Sequence, residues 1–428
     1  MRVLLVNTSE HTGGASIAAA RLLEALNDNG IKAKLLVSRK VSERPTVTAL
    51  PSYAAHRAHF LTERLAVWAA CGFRRDHLFD IDPALCGTDI TTLPEFREAD
   101  VVHLHWVNQG FLSLRGVRRI LRSGKPLVWT LHDMWPFTGV CHYARECQKW
   151  RTGCHHCELL PGGGGRHDLS ARTFGRKSSV YAAGRMAFVA CSHWLADLAA
   201  ASPLLAGHKL YSIPNPIDTG RFCPADRSEV RRRLGLPEDR QLILFVAYKV
   251  TSPLKGVDYL CDALQRLVAA RPELRQQWQL VAVGRESGRL TDRVPVPVTA
   301  IDYVSEEEQI IDLYRAADVL AMPSLHDNLP NTIAEGMACG LPCVGFNVGG
   351  LPQMITHRVN GYLATYRDAD DFGRGLLDTL QPEHHAQRSL EARRTAVTAY
   401  AQRAVAARYT AVYEEMIALA KSQIPHNR

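Results

Sequence analysis

Short apolar runs alternate with helical patterns twice over, and that alternation restricts the chain to parallel sheets covered by helices. In the first series the runs fall at residues 3–6, 33–37, 101–106, 127–131, 188–191 and 210–213, with helical patterns at 15–26 and 112–121. Near Ile213-Pro214-Asn215-Pro216-Ile217-Asp218 the punctuation becomes dense and a polar, basic stretch follows, which marks a domain boundary. A second series has runs at 242–247, 280–283, 299–304, 319–322 and 343–346, with helical patterns at 257–269 and 306–315. The expected fold is α/β, with two doubly wound, Rossmann-like parallel-sheet domains facing a cleft and ligands outside the carboxyl ends of the strands. The domains are expected at 1–218 and 219–395, and an Ala- and Arg-rich helical pattern, assigned to 396–428, is expected to return toward the first domain.

A chain of 428 residues exceeds one compact core and suits two. The balance of 51 Lys+Arg against 43 Asp+Glu gives a net charge of +8, a mild excess that fits anionic substrates or an anionic membrane surface. No basic stripe interleaved with aromatics accompanies it, so nucleic acid is not an expected partner. No segment reaches the roughly eighteen uninterrupted apolar residues that span a bilayer. The opening MRVLLVNTSEHTGG reads as a buried strand and carries no export signal. A cytoplasmic protein is expected, peripheral on the inner face of the membrane, with its 11 cysteines reduced.

The chemistry concentrates in residues 323–346, PSLHDNLPNTIAEGMACGLPCVGF. An apolar run ends at Pro323-Ser324, and a helix-compatible stretch begins near Asn331 and stops at Gly340. A strand–loop–helix junction aims backbone N–H groups of Asn331 and Thr332, and the positive helix end, at a phosphate. Asp327 and Glu335 flank that junction. Carboxylates are poor phosphate ligands but good acceptors for sugar or ribose hydroxyls, so the segment outlines a sugar-nucleotide site.

The ordered series His11-Thr12-Gly13-Gly14, Leu131-His132-Asp133, Asn215-Pro216-Ile217-Asp218, Lys255-Gly256, the 323–346 segment and Val348-Gly349-Gly350-Leu351-Pro352 resembles the family-4 glycosyltransferases, retaining enzymes of the GT-B architecture. The form DNLPNTIAE looks most like members that build exopolysaccharide or lipopolysaccharide units, such as the colanic-acid type. The resemblance implies a UDP- or GDP-sugar donor, a glycan or lipid-linked saccharide acceptor, and no catalytic metal. It assigns Glu335 to the nucleotide ribose and Asp327, a shorter acid than the family's usual Glu, to the transferred sugar. Lys255 is implied as the cation that neutralises the departing diphosphate. The arginine that usually accompanies it falls at Tyr248, with Lys249 as the expected stand-in. Gly13 and Gly14, and Gly349 and Gly350, are implied as close-approach backbone in the donor site. His132 is implied to contact the donor sugar, and Asp133 the acceptor hydroxyls. Two other classes stay open at this point: a sugar-nucleotide 2-epimerase, which shares the two-domain build, and a non-catalytic scaffold.

Cys141-x5-Cys147 followed by Cys154-x2-Cys157 puts four cysteines into an insertion spanning 139–177, and its second half has metal-knuckle spacing. A structural zinc is expected there, against the alternative of four unligated thiols. The run after it, Gly162 to Gly165 with Arg166, Arg172, Arg176 and Lys177, reads as a basic loop. Residues 56–75 set Leu61, Leu65 and Trp68 on one helical face among Arg57, Arg64, Arg74 and Arg75, which reads as an ordinary packed surface helix, with peripheral membrane contact as the alternative.

Overall fold

The protein is described here by a computed structural model covering residues 1–304 and 306–422. Residues 423–428 of the expected C-terminal helix lie outside the described residues. The chain forms two compact units: Met1–Pro216 together with the segment from Val405, and Ile217–Ala404.

The first unit contains a seven-stranded parallel sheet in the order β3-β2-β1-β4-β5-β6-β7. Its strands are β1 Arg2–Val6, β2 Lys32–Val37, β3 Val47–Ala49, β4 Val101–Leu104, β5 Leu127–Leu131, β6 Ala187–Ala190 and β7 Lys209–Ser212. Alternation along the strands separates two apolar faces. Leu4, Val6, Val102, Leu104, Trp129 and Leu131 feed one core, and Val3, Leu5, Val101, Val128 and Val189 the other. The second core is closed by Val405, Tyr409, Val412, Tyr413 and Met416 of the helix Gln402–Ser422. That helix is also clipped by polar contacts. His103 bonds the Tyr413 hydroxyl and the Thr130 hydroxyl, each at 2.7 Å, and Thr130 reaches the Tyr409 hydroxyl at 3.0 Å.

The second unit contains a six-stranded parallel sheet in the order β10-β9-β8-β11-β12-β13. Its strands are β8 Gln241–Lys249, β9 Trp278–Arg285, β10 Val298–Ile301, β11 Val319–Met322, β12 Cys343–Phe346 and β13 Gly361–Ala364. Chain order reverses between β1 and β4 in the first sheet and between β8 and β11 in the second. The loops leaving those four strands are therefore where ligands are expected.

The Ala- and Arg-rich C-terminal pattern is broken into two helices, Pro382–Ala399 and Gln402–Ser422. The break is tertiary in origin. Ile217 donates its N–H to Tyr400 O at 2.7 Å and accepts from Gln402 N at 3.1 Å, which takes Tyr400 and Ala401 out of the helical ladder.

Candidate functional site

The reversal between β8 and β11 brings Lys255 and Asp327 together, Lys255 Nζ to Asp327 Oδ2 at 2.6 Å. Two backbone contacts fix the loops that carry them. Gly256 has φ +63, and a Cβ there would sit 1.9 Å from Pro323 O, so the β8 loop rests directly on the β11 loop. Leu325 N also donates to Leu254 O at 2.8 Å. On the other side, Gly349 has φ +59 and its Cβ would meet Asp327 O at 2.0 Å, while Gly350 N donates to Asp327 O at 3.2 Å. The Gly349-Gly350 pair thus works as a backbone clamp on Asp327. The helix Asn331–Ala338 begins just beyond, so Asn331 and Thr332 lie at its positive end. Glu335 lies in the next turn, buried, with Tyr314 donating its hydroxyl to Oε2 at 2.7 Å. The site sequence therefore assembles in the second unit around one ion pair. Tyr314 was not visible in the sequence, because nothing in the helix Glu307–Ala316 marks it as a partner of Glu335.

Lys249, the expected stand-in for the missing arginine, is already engaged in an ion pair. Its ammonium pairs with Glu286 at 2.9 Å, and Glu286 also takes Thr251 and Arg289. Tyr248 projects outward, 73 % exposed, with the Arg285 guanidinium 4.9 Å above its ring.

In the first unit Gly13 caps the helix Gly14–Asp28 with φ +89, and a Cβ at Gly13 or Gly14 would meet nothing within 4 Å. Internal packing does not demand these glycines; the space beside them is open to a ligand. His132 and Asp133 are occupied differently from expectation. Asp133 accepts from Trp135 N at 2.9 Å, Trp106 Nε1 at 3.0 Å and His142 Nδ1 at 2.7 Å. Burial alone would raise its carboxyl; His142 and the other donors overcome this and hold it below the usual carboxylate range. With three donors on it, Asp133 fixes the Trp106 and Trp135 segments; Oδ2 takes Trp106 and His142, and Oδ1 takes Trp135 N. His132 turns Nε2 to His105 Nδ1 at 3.0 Å and Nδ1 to Cys191 Sγ at 3.8 Å, so both ring nitrogens face protein partners.

Burial lowers His132 to about 4, His103 to about 3 and His105 well below its ordinary value. All three are neutral in the folded chain at pH 7. In the unfolded chain they take up protons below about pH 6.5, so stability falls as pH drops from there toward the folded values, by about 1.4 kcal/mol per pH unit for each histidine. The midpoint of thermal unfolding is expected to fall steeply between pH 6.5 and 5, and less steeply in His103→Gln. Differential scanning calorimetry across that range measures it, and equal slopes in the two proteins would contradict it.

The cysteine insertion is packed as apolar surface. Cys147 and Cys154 lie against the large core of the first unit, Cys157 lies against a smaller cluster around Val67 and Ile81, and Cys141 touches both. Burial pushes the Cys141 thiol up to about 11 and that of Cys154 to about 12, and raises Cys157 as well. Among the described residues no group of three or more His, Cys, Asp or Glu side chains is arranged to hold a metal ion. The zinc expected at Cys141, Cys147, Cys154 and Cys157 has no support in this geometry. Lys177, expected in a basic loop, is instead fully buried in the helix Leu169–Tyr181 and donates to Trp135 O and Thr138 O.

The sequence pattern described as Glycosyltransferase Family 4 matches residues 12–221, and that described as Glycosyl transferases group 1 matches residues 240–382. The D-inositol 3-phosphate glycosyltransferase of Geodermatophilus obscurus is 31% identical over 345 residues, which cover 76% of this chain and 69% of that protein. Among solved structures, sucrose-phosphate synthase from Thermosynechococcus elongatus is similar with TM-score 0.67 at 18% identity, over 98% of this chain and 99% of that one. Anabaena HepE in complex with UDP is similar with TM-score 0.63 at 16% identity, over 97% of this chain and 100% of that one.

Proposed function

The chain belongs to the family-4 glycosyltransferases of GT-B fold, and from that premise we propose that it transfers a hexose-type sugar, with retention, from a nucleoside-diphosphate donor to a glycan or lipid-linked glycan in polysaccharide synthesis. One observation carries the donor part: Lys255 held at 2.6 Å from Asp327 on the switch-point loops, beside the N-terminus of the helix Asn331–Ala338. A diphosphate leaving group develops negative charge, and a fixed ammonium with a helix end stabilises it in a low-dielectric site. Asp327 then accepts from a hydroxyl of the transferred sugar and Glu335 from the ribose. The departing phosphate oxygen takes the acceptor hydroxyl's proton on the same face, so no separate base is called for. The UDP bound to Anabaena HepE supports a uridine donor. Because the relative from Geodermatophilus obscurus is a D-inositol 3-phosphate glycosyltransferase, a phosphorylated polyol belongs in the acceptor panel beside lipid-linked glycans.

Calorimetry with a panel of UDP- and GDP-sugars tests the donor reading, and binding of none of them would end it. Incubating the donor that binds without acceptor separates transfer from epimerisation: a changed sugar identifies the epimerase, whereas intact or slowly hydrolysed donor fits the transferase. A donor that binds but is neither transferred nor changed would favour the scaffold.

The membrane part of the proposal rests on the helix Tyr53–Ala70, which is built inside out. It buries His56, Glu63 and Arg64, with Arg64 paired to Asp82 at 3.1 Å and Glu63 accepting from Cys86 N at 2.9 Å. It exposes Leu61 and Leu65, at 57 % and 61 %, with Phe73 and Phe79 nearby in sequence and also exposed. Arg64 therefore leaves the expected cationic rim, and Arg57 and Arg75 remain on the surface. Asp76 is exposed between Phe73 and Phe79 and pairs with Arg74 at 2.7 Å, which leaves Arg57 and Arg75 as the cations beside the apolar stripe, an arrangement that fits an anionic lipid surface. Full-length protein is expected to sediment with phosphatidylglycerol-containing vesicles and not with pure phosphatidylcholine. Leu61→Gln combined with Leu65→Gln is expected to lower the bound fraction at least about fivefold, given about 25 cal/mol per Å² of apolar surface inserted. Equal sedimentation of wild type and variant would remove this face from consideration.

A further inference from the structure

We propose that Arg285 is a second cation of the diphosphate site, held ready on the ring of Tyr248; this rests on the nucleoside-diphosphate reading above. The two lysines of the site have their positive charge already matched. Lys255 faces Asp327 at 2.6 Å and Lys249 faces Glu286 at 2.9 Å. Among the described residues, Arg285 is paired with no carboxylate, and it is exposed at the carboxyl end of β9. A diphosphate arriving there meets one guanidinium that need not give up an existing ion pair.

Its position is built into the sheet. β9 runs parallel to β8 with Arg285 opposite Lys249, after an irregularity in the register that follows Val246. The preceding Gly284 has φ +131, and its Cβ would lie 1.7 Å from Ala247 O, so only glycine lets the end of β9 press this closely on β8. Val250 N donates to Arg285 O at 3.1 Å. Thr251 and Lys249 both bond Glu286, which ties the loop leading to Lys255 to the residue after Arg285. The side chain has a resting place as well, its guanidinium carbon 4.9 Å from the Tyr248 ring centroid. Guanidinium N–H donors bind phosphate oxygens in pairs.

The test is calorimetry of UDP, GDP, UMP and GMP against the full chain. For the base that binds, wild type is expected to prefer the diphosphate. Arg285→Ala is expected to weaken the diphosphate by about 10- to 100-fold and the monophosphate by less than about threefold. Arg285→Lys is expected to fall between, because it loses the paired contact. Placing an arginine next door, Tyr248→Arg in the Arg285→Ala background, is expected to recover about tenfold of the loss. An unchanged ratio of diphosphate to monophosphate affinity in Arg285→Ala overturns the assignment and leaves the donor reading standing. An equal loss of both ligands also overturns it, since that marks a structural role. Failure of wild type to bind any of the four nucleotides removes the donor reading, and this assignment with it.

Discussion

Lys255→Ala is expected to lower kcat for sugar transfer by about 10²- to 10³-fold, the size seen when one preorganised group facing developing charge is removed. The pairing at 2.6 Å makes the companion variant informative, because Asp327 occupies the lysine until a diphosphate arrives. Asp327→Asn removes that competitor. Nucleoside-diphosphate affinity is therefore expected to rise by about three- to tenfold, in the range of a partly exposed ion pair of about 1 kcal/mol. Transfer is expected to fall nonetheless, because the acceptor for the sugar hydroxyl has lost its charge. Opposite movement of Kd and kcat distinguishes a ligand-exchanging pair from a purely structural one, which would weaken both. Product formation with the donor found by calorimetry, together with direct titration of the diphosphate, measures the two quantities. Full transfer rates in both variants would count decisively against the proposed site.

Burial on both faces explains which parts of this molecule were legible. β5 and the 319–322 and 343–346 strands match their apolar runs residue for residue, because a central parallel strand is covered above and below and its whole length must be apolar. β3 and β13 were missed. Each lies at a sheet edge and is only three or four residues long, and Thr48, Ala49 and Leu363 are not fully buried, so no apolar run marks them. The single helix read across the C-terminal pattern failed for a different reason: Ile217, far away in sequence, sets the break at Tyr400-Ala401.

The same division runs through the site. Lys255, Asp327 and Glu335 could be picked out because their residue types sit on a strand–loop–helix pattern whose chemistry is local. The occupation of Asp133 by Trp106 and His142, the contacts of His132 with His105 and Cys191, and the pairing of Lys249 with Glu286 are contacts between separate segments, which spacing does not encode. The cysteine insertion divides in the same way: Cys154 packs against the large core and Cys157 against the smaller cluster around Val67, a division that their spacing does not encode.

Gly349→Ala is expected to abolish most activity while leaving the chain folded. The residue holds φ +59, where a Cβ costs about 1–2 kcal/mol. That alone is a modest loss for a sheet of this size. The larger effect is positional, because the new Cβ would lie 2.0 Å from Asp327 O, well inside contact distance, so the two loops must separate by about an ångström or more. Gly350 N would then lose its bond to Asp327 O, and the carboxylate would leave its place opposite Lys255. A displacement of about 1 Å at a reacting group costs on the order of 10²-fold in rate. The expected signature is a drop in kcat of at least about 10²-fold with a stability loss of only about 1–3 kcal/mol, read from turnover and from urea unfolding of the same preparation. Gly235→Ala makes the control, since its φ of +65 is similar and its Cβ would meet nothing within 4 Å. A Gly349→Ala enzyme with near-normal turnover would show that the clamp on Asp327 is dispensable, and the ion pair could then no longer be taken as the organising contact of the site.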